Sequence, residues 1–187
     1  MSRRAVFLDR DGVLVEEVFY ERTGEWEAPM AAADVRLIPG AAVAARRLAD
    51  AGFALVLISN QAAYAKGKTT LRKLWLVHER FVELLGGEGV RLDGFRYSYG
   101  HPGGTVPHFS GPSLDRKPGP YNIFILAAEL DIDLPASWMV GDRRSDIEAG
   151  ESAGLRTILV DNPHNPVPGG ARRARDLAAA AELILAG

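Results

Sequence analysis

The sequence predicts an α/β fold built on a central parallel sheet. Short, largely apolar runs recur at residues 5–8, 53–58, 138–140 and 157–160, as strands buried on both faces do, and 94–99 reads as a further strand. Segments with apolar residues at helical spacing alternate with these runs. Several of the runs stop abruptly at polar groups, where an open parallel sheet binds its ligands.

Each element follows in order. The run 5–8 ends at Asp9, and after Gly12 the chain continues through Val13–Val15. Residues 16–37 mix polar and apolar residues around Thr23-Gly24 and Ala28-Pro29, which predicts a loop with a small hairpin. Residues 39–50 have helical spacing, with Gly52 as the stop. The second strand, 53–58, is terminated by Ser59-Asn60-Gln61. Leu71, Leu74, Val77, Phe81 and Leu85 give a helix over 70–85, closed by Gly86-Gly87. The Gly- and Pro-rich stretch 100–120 is a long loop, of the kind that usually carries function. Helices at 121–130 and 146–153 flank the strand at 138–140, and the strand 157–160 follows. The expectation for the remainder is a linker at 161–170 and an Ala-rich helix over 171–186.

Composition narrows the function. The 187 residues fit a single domain spanning 1–187 with a core at 5–160, and 47% hydrophobic residues can fill that core. A net charge of −2 argues against a nucleic-acid footprint. Having no Cys removes disulfides, thiolate catalysis and any Cys-ligated zinc. No apolar run reaches the ~20 residues of a membrane helix. Met1–Arg4 leads into a short apolar run, unlike a signal peptide. A soluble, cytoplasmic monomer without membrane or nucleic-acid partners is the expectation.

The strand ends carry the chemistry. Asp9 and Asp11 lie two residues apart after the first strand, and Asp142 follows the fourth. Crowded carboxylates repel unless a cation or a shared proton relieves them, and three of them suit Mg²⁺. The hydroxyl of Ser59 and the ammonium of Lys117 suit phosphate oxygens. Together these are the parts of a phosphoryl-transfer site: nucleophile, metal ligands and positive charge. Taken singly each has a plainer reading, since Asp-x-Asp after a strand is often a turn and a strand-end Ser is often a helix cap. Their joint occurrence, in order and each at an element end, favours the site.

The segments Phe7-Leu8-Asp9-Arg10-Asp11-Gly12, Ile38-Pro39-Gly40, Ser59-Asn60-Gln61, Arg116-Lys117-Pro118 and Val140-Gly141-Asp142-Arg143 resemble the haloacid dehalogenase (HAD) superfamily. The closer resemblance is to its D-glycero-D-manno-heptose-1,7-bisphosphate phosphatase group, kin of histidinol-phosphate phosphatase, and it runs from about Ala5 to Val160. The resemblance implies a Rossmann-like HAD fold with helices on both faces of the sheet, and the lack of a domain-sized insertion between Gly12 and Ser59 or between Ser59 and Lys117 predicts no large cap domain. It implies that Asp9 is the nucleophile and Asp11 the general acid and base. Mg²⁺ would be held by Asp9, the backbone carbonyl of Asp11, and Asp142. Ser59 and Lys117 would stabilise the transferring group, Asn60, Arg116 and Arg143 would touch substrate, and Asp146 would orient Lys117.

Three departures from that group stand out. Its zinc-holding Cys-x-His and Cys-x-Cys positions read Ser98, Gly100, Ser113 and Asp115 here, so no zinc is expected despite His101 and His108. Its Asn-Gln-Ser-Gly reads Asn60-Gln61-Ala62-Ala63, and its Asp-x-Gly-Tyr reads Glu17-Val18-Phe19-Tyr20. The last two fall where substrate is recognised. The resulting expectation is a Mg²⁺-dependent phosphomonoesterase acting on a small phosphorylated substrate. Heptose 1,7-bisphosphate leads, with histidinol phosphate as the alternative. A receiver-type signalling domain would carry an adjacent acidic pair, whereas Arg10 separates this one. A non-catalytic binding module would be marked by loss of Asp9 or Asp11, and both are present.

Overall fold

The computed structural model describes residues 2–169 and 172–187. Its main sheet has six strands in the order β5-β4-β1-β6-β7-β8, all neighbours parallel. The strands are β1 (Ala5–Leu8), β4 (Ala54–Asn60), β5 (Gly94–Ser98), β6 (Trp138–Gly141), β7 (Arg156–Val160) and β8 (Arg173–Ala174). The short β2 (Val18–Tyr20) and β3 (Glu25–Glu27) form a separate antiparallel hairpin, the only insertion between β1 and α1 (Ala41–Asp50) apart from a single 3₁₀ turn. Among the described residues, no large cap interrupts the fold.

Two apolar layers sandwich the sheet, because alternate residues of each strand point to opposite faces. Val6 and Leu8 of β1, with Leu55 and Leu57 of β4, pack under α1, α2 (Leu71–Gly87) and α5 (Leu177–Leu185). Ala5, Phe7, Val56 and Ile58 pack on the other face under α3 (Tyr121–Leu130) and α4 (Arg144–Ser152). Helix boundaries have local causes. The Thr70 side chain accepts from Lys73 N–H at 3.2 Å and starts α2, and Asp176 accepts from Ala179 N–H at 2.7 Å and starts α5.

That second cap corrects the expected helix over 171–186. Residue 171 lies outside the described residues, Arg173 and Ala174 add a strand to the sheet edge, and the helix begins at Leu177. The run of Ala and Arg has high helix propensity, but pairing with Leu159 and Val160 holds it extended. The linker expectation also needs revision: 161–169 is irregular, but Asn162 within it is buried, and residue 170 is outside the described residues. Strand β4 runs two residues further than expected, so Ser59 and Asn60 are strand residues paired to Tyr97 and Ser98. Among the described residues, no helix is long and apolar enough to cross a membrane.

Candidate active site

Strand β1 lies at the point where the sheet's connections reverse direction, with β4 on one side and β6 on the other. Side chains leaving these three strands therefore meet at one edge. Asp9 follows β1, and its N–H is still bound to Val140 of β6 at 3.0 Å. Asp142 follows β6. Ligand oxygens of Asp9, Asp142 and Asp146 lie within 4.8 Å of one another, and all three residues are buried.

Lys117 reaches this cluster from the loop before α3. Its buried ammonium donates to Ile58 C=O at 2.8 Å and pairs with Asp146 Oδ1 at 2.6 Å and Asp9 Oδ1 at 3.2 Å. Burial works against its charge, but Asp146 and Asp9 outweigh it and raise its pKa. Asp146 also accepts from the Arg143 N–H at 2.9 Å, so it both caps α4 and fixes Lys117. Asn60 clamps the same loop: its amide donates to Lys117 C=O at 3.0 Å and accepts from Lys117 N–H at 3.1 Å. Asn60 thus lines the cavity with its amide already engaged on the protein.

Asp11 is turned away from the three-carboxylate group. It accepts from Arg10 Nε at 2.9 Å and Nη2 at 3.1 Å, and from Gln61 Nε2 at 2.7 Å. Gln61 also donates to the buried Ser59 hydroxyl at 3.0 Å and accepts from Arg10 at 2.8 Å. Arg10 is 1% exposed, and burial disfavours its charge, but Asp11 and Tyr97 outweigh that and raise its pKa. Residue-type reasoning passed over Arg10 and Gln61. The one signal for Arg10 was a cation placed between two carboxylates at the end of an apolar strand.

The acidic cluster fits a divalent cation. Asp142 Oδ1 is buried without a hydrogen-bond partner, the condition of an atom that awaits a ligand. Burial, then the charges of Asp9 and Asp146, push Asp142 up to about 8. A hard cation bound by carboxylate oxygens relieves that repulsion. Gly12 is required beside it: its φ is +79°, and a Cβ there would fall 2.4 Å from Asp142 Oδ2.

Above the carboxylates opens a cavity of about 250 Å³. Asp9, Asp11, Asn60 and Gln61 line its floor side, Lys66, Arg116 and Arg143 bring positive charge to it, and His101, Glu25 and Glu27 complete its wall. Arg116 is pulled down by burial and by Arg143, and His101 by burial, Arg116 and Lys66. Cations crowded in this way suit an anion. Trp26, from the β2–β3 hairpin, borders the cavity and stacks on His164 at 3.8 Å and 9°. Of the sequence-predicted residues, Asp9, Asp11, Lys117, Asn60, Arg116 and Arg143 line this cavity, while Ser59 and Asp142 are buried. Glu17, expected near substrate, has a buried side chain that bonds Arg143 at 2.8 Å and Asn162 at 3.1 Å.

Comparison with known proteins agrees with this geometry. A family model described as HAD-hydrolase-like matches residues 114–182. A D-glycero-D-manno-heptose-1,7-bisphosphate 7-phosphatase of Thermosynechococcus vestitus is 40% identical over 164 residues, covering 86% of this chain and 80% of the relative. A D-glycero-beta-D-manno-heptose-1,7-bisphosphate 7-phosphatase of Yersinia pestis is 34% identical over 172 residues, 92% of this chain and 87% of that one. The crystal structure of a HAD-like phosphatase from Mesorhizobium loti superposes with TM-score 0.82 at 32% identity, covering 98% of this chain and 88% of that one. That of a D,D-heptose 1,7-bisphosphate phosphatase from B. bronchiseptica, complexed with magnesium and phosphate, gives 0.77 at 28% identity, covering 98% of both chains. With this identity over most of both chains, and with Asp9, Lys117, Asp142 and Asp146 brought to one sheet edge, the chain belongs to the HAD superfamily of phosphatases.

Proposed function

We propose that this phosphatase removes one phosphate from a small sugar bisphosphate, with D-glycero-D-manno-heptose 1,7-bisphosphate as the leading substrate. The observation that carries the reading is Asp9 at the floor of a cavity bordered by Lys66, Arg116 and Arg143. One phosphate at the floor leaves further cations for a second anionic group. The names of the relatives point to the same substrate.

HAD phosphatases are magnesium-dependent and work through an aspartyl phosphate. Here Asp9 and Asp142, with the backbone carbonyl of Asp11, are the groups to hold Mg²⁺, whose chemistry is to neutralise charge on the phosphoryl oxygens. Asp9 attacks phosphorus, and the bond to the sugar oxygen breaks. Asp11 supplies the proton that leaves with that oxygen. Asp11 then takes a proton from water as the water oxygen attacks phosphorus, which frees Asp9 and releases phosphate. Lys117, tied to both Asp9 and Asp146, keeps a positive charge beside the nucleophile throughout. Ser59, Arg116 and Arg143 are assigned to phosphoryl and substrate contact, and Asn60 to holding the loop that carries Lys117.

We also propose that the 100–120 loop works without zinc. Ser98, Gly100, Ser113 and Asp115 offer no thiolate, and protein contacts fasten the loop instead. Ala65 C=O accepts from Thr105 N–H at 2.7 Å and Val106 N–H at 3.0 Å, Arg116 donates to Gly100 C=O at 3.0 Å, and Phe109 packs edge-on against Tyr64 at 4.8 Å.

The test is phosphate release from heptose 1,7-bisphosphate, histidinol phosphate and simple sugar monophosphates, with Mg²⁺ and with EDTA. Metal-dependent release that prefers the bisphosphate and disappears in Asp9→Asn supports the reading. A preference for histidinol phosphate, or equal rates on monophosphates, would overturn the substrate assignment.

A further inference from the structure

Asp142 presents two oxygens in different states. Oδ1 is buried and accepts no hydrogen bond, with Arg143 Nε 3.9 Å away, whereas Oδ2 accepts from the Asn162 amide at 2.6 Å. The other contacts of Asn162 fix it in that pose. Its Nδ2 also donates to Glu17 Oε2 at 3.1 Å, so both amide hydrogens are used, one on each carboxylate. Its Oδ1 accepts from the His164 N–H at 2.9 Å, which sets which end of the amide faces Asp142. Glu17 is itself held, since its second oxygen takes Arg143 Nη2 at 2.8 Å and its side chain is only 2% exposed. Gly12 packs against the same pair: a Cβ there would lie 2.4 Å from Asp142 Oδ2 and 2.8 Å from Asn162 Nδ2.

We propose that Asn162 is a positioning residue for the cation, holding Asp142 by Oδ2 so that Oδ1 is presented to the metal, with Glu17 as its anchor. The inference rests on the reading of Asp142 as a metal ligand and extends it to two residues that do not touch the metal. Groups that orient metal ligands in this way usually contribute about 10–100-fold to affinity. The contact also links the metal site to the cover of the cavity. His164, which caps the Asn162 carbonyl, stacks on Trp26 of the hairpin, so hairpin and carboxylate share one brace.

The experiment is isothermal calorimetry of Mg²⁺ binding to the full chain after stripping with EDTA, comparing wild type, Asp142→Asn, Asn162→Leu and Glu17→Gln. Wild type binds and Asp142→Asn does not; if wild type binds no Mg²⁺, the metal reading itself falls and the inference falls with it. Given that baseline, Asn162→Leu raises Kd about tenfold or more. In turnover, its Mg²⁺ activation constant rises by the same factor, and kcat recovers at saturating Mg²⁺, a split that general damage to the fold would not give. Glu17→Gln keeps the size of the side chain but offers one carbonyl where two oxygens served, so Kd rises by a smaller factor, about threefold. It decides the matter if Asn162→Leu does not fold. A folded Asn162→Leu with wild-type Mg²⁺ affinity overturns the proposal. So does wild-type affinity in Glu17→Gln when the leucine variant cannot be made.

Discussion

Replacing Asp142 by asparagine should stabilise the metal-free protein while destroying its metal site. Burial, with Asp9 and Asp146 close by, raises the Asp142 pKa from the ordinary 3.8 to about 8. Between those values the folded protein keeps a proton that the unfolded chain releases. The stability tied to that proton is complete below about pH 4 and lost as pH rises through about 8. The gap is worth about 5–6 kcal/mol, at about 1.4 kcal/mol for each tenfold step. Relaxation of the interior dielectric roughly halves this, leaving about 3 kcal/mol. Asparagine is neutral at every pH, still accepts from Asn162 through its oxygen, and turns an N–H toward Asp9 and Asp146. For a chain of this size the gain corresponds to a Tm increase of about 6–12 °C at pH 8. The assay is thermal unfolding in EDTA from pH 5 to 8.5, with the variant's advantage shrinking toward acid. A Tm at pH 8 no higher than wild type, or an advantage that grows as pH falls, would refute the electrostatic reasoning.

Three further outcomes are expected. Lys117→Met removes the only ammonium between Asp9 and Asp146 and leaves two buried carboxylates facing each other, which destabilises the metal-free fold by about 3–5 kcal/mol in urea titration at pH 7. A loss below about 1 kcal/mol would mean that the pair is solvated in a way the burial of all three residues does not allow. Gly12→Ala combines a positive φ with a Cβ 2.4 Å from Asp142, so Mg²⁺ no longer raises Tm and turnover falls at least about a hundredfold; an alanine variant with normal Mg²⁺ response would show that the close approach is not real. Elemental analysis of purified protein should find no stoichiometric zinc, and a zinc chelator should leave both Tm and Mg²⁺-supported activity unchanged; one bound zinc per chain would overturn the zinc-free loop.

Most of the architecture could be read from the chain because parallel strands buried on both faces have an unmistakable pattern. Val-Phe-Leu before Asp9 and Met-Val before Gly141-Asp142 have no polar alternative to being buried, so the carboxylates that follow must sit at strand ends. What could not be read depends on partners distant in sequence. Strand β8 exists because Leu159 and Val160 offer an open edge, and nothing within Arg172–Arg175 announces that. Asn162 sits in a Pro- and Gly-rich stretch whose composition predicts a linker, and its importance appears only when β7 places it over Asp142. Glu17 is similar: the resemblance puts it where substrate is recognised, and only its distant partners Arg143 and Asn162 show a side chain turned into the protein. Asn60 was foreseen facing substrate, but the nearness of the Lys117 peptide, a contact across 57 residues, captures its amide.

The central position of β1 also bears on how the enzyme comes into being. Its two neighbours in the sheet belong to opposite halves of the chain, and the contact between Ala5 and Ser137 spans 132 residues. Local helices and the β1–β4 pair can form while the C-terminal half is still unstructured, but Asp9 meets Asp142 only when β6 docks. Repulsion between Asp9 and the Asp142–Asp146 pair therefore arises only with that non-local pairing. A divalent cation in the refolding buffer would relieve the strain of that pairing, so the ion that serves turnover would also serve as a latch between the two halves of the chain.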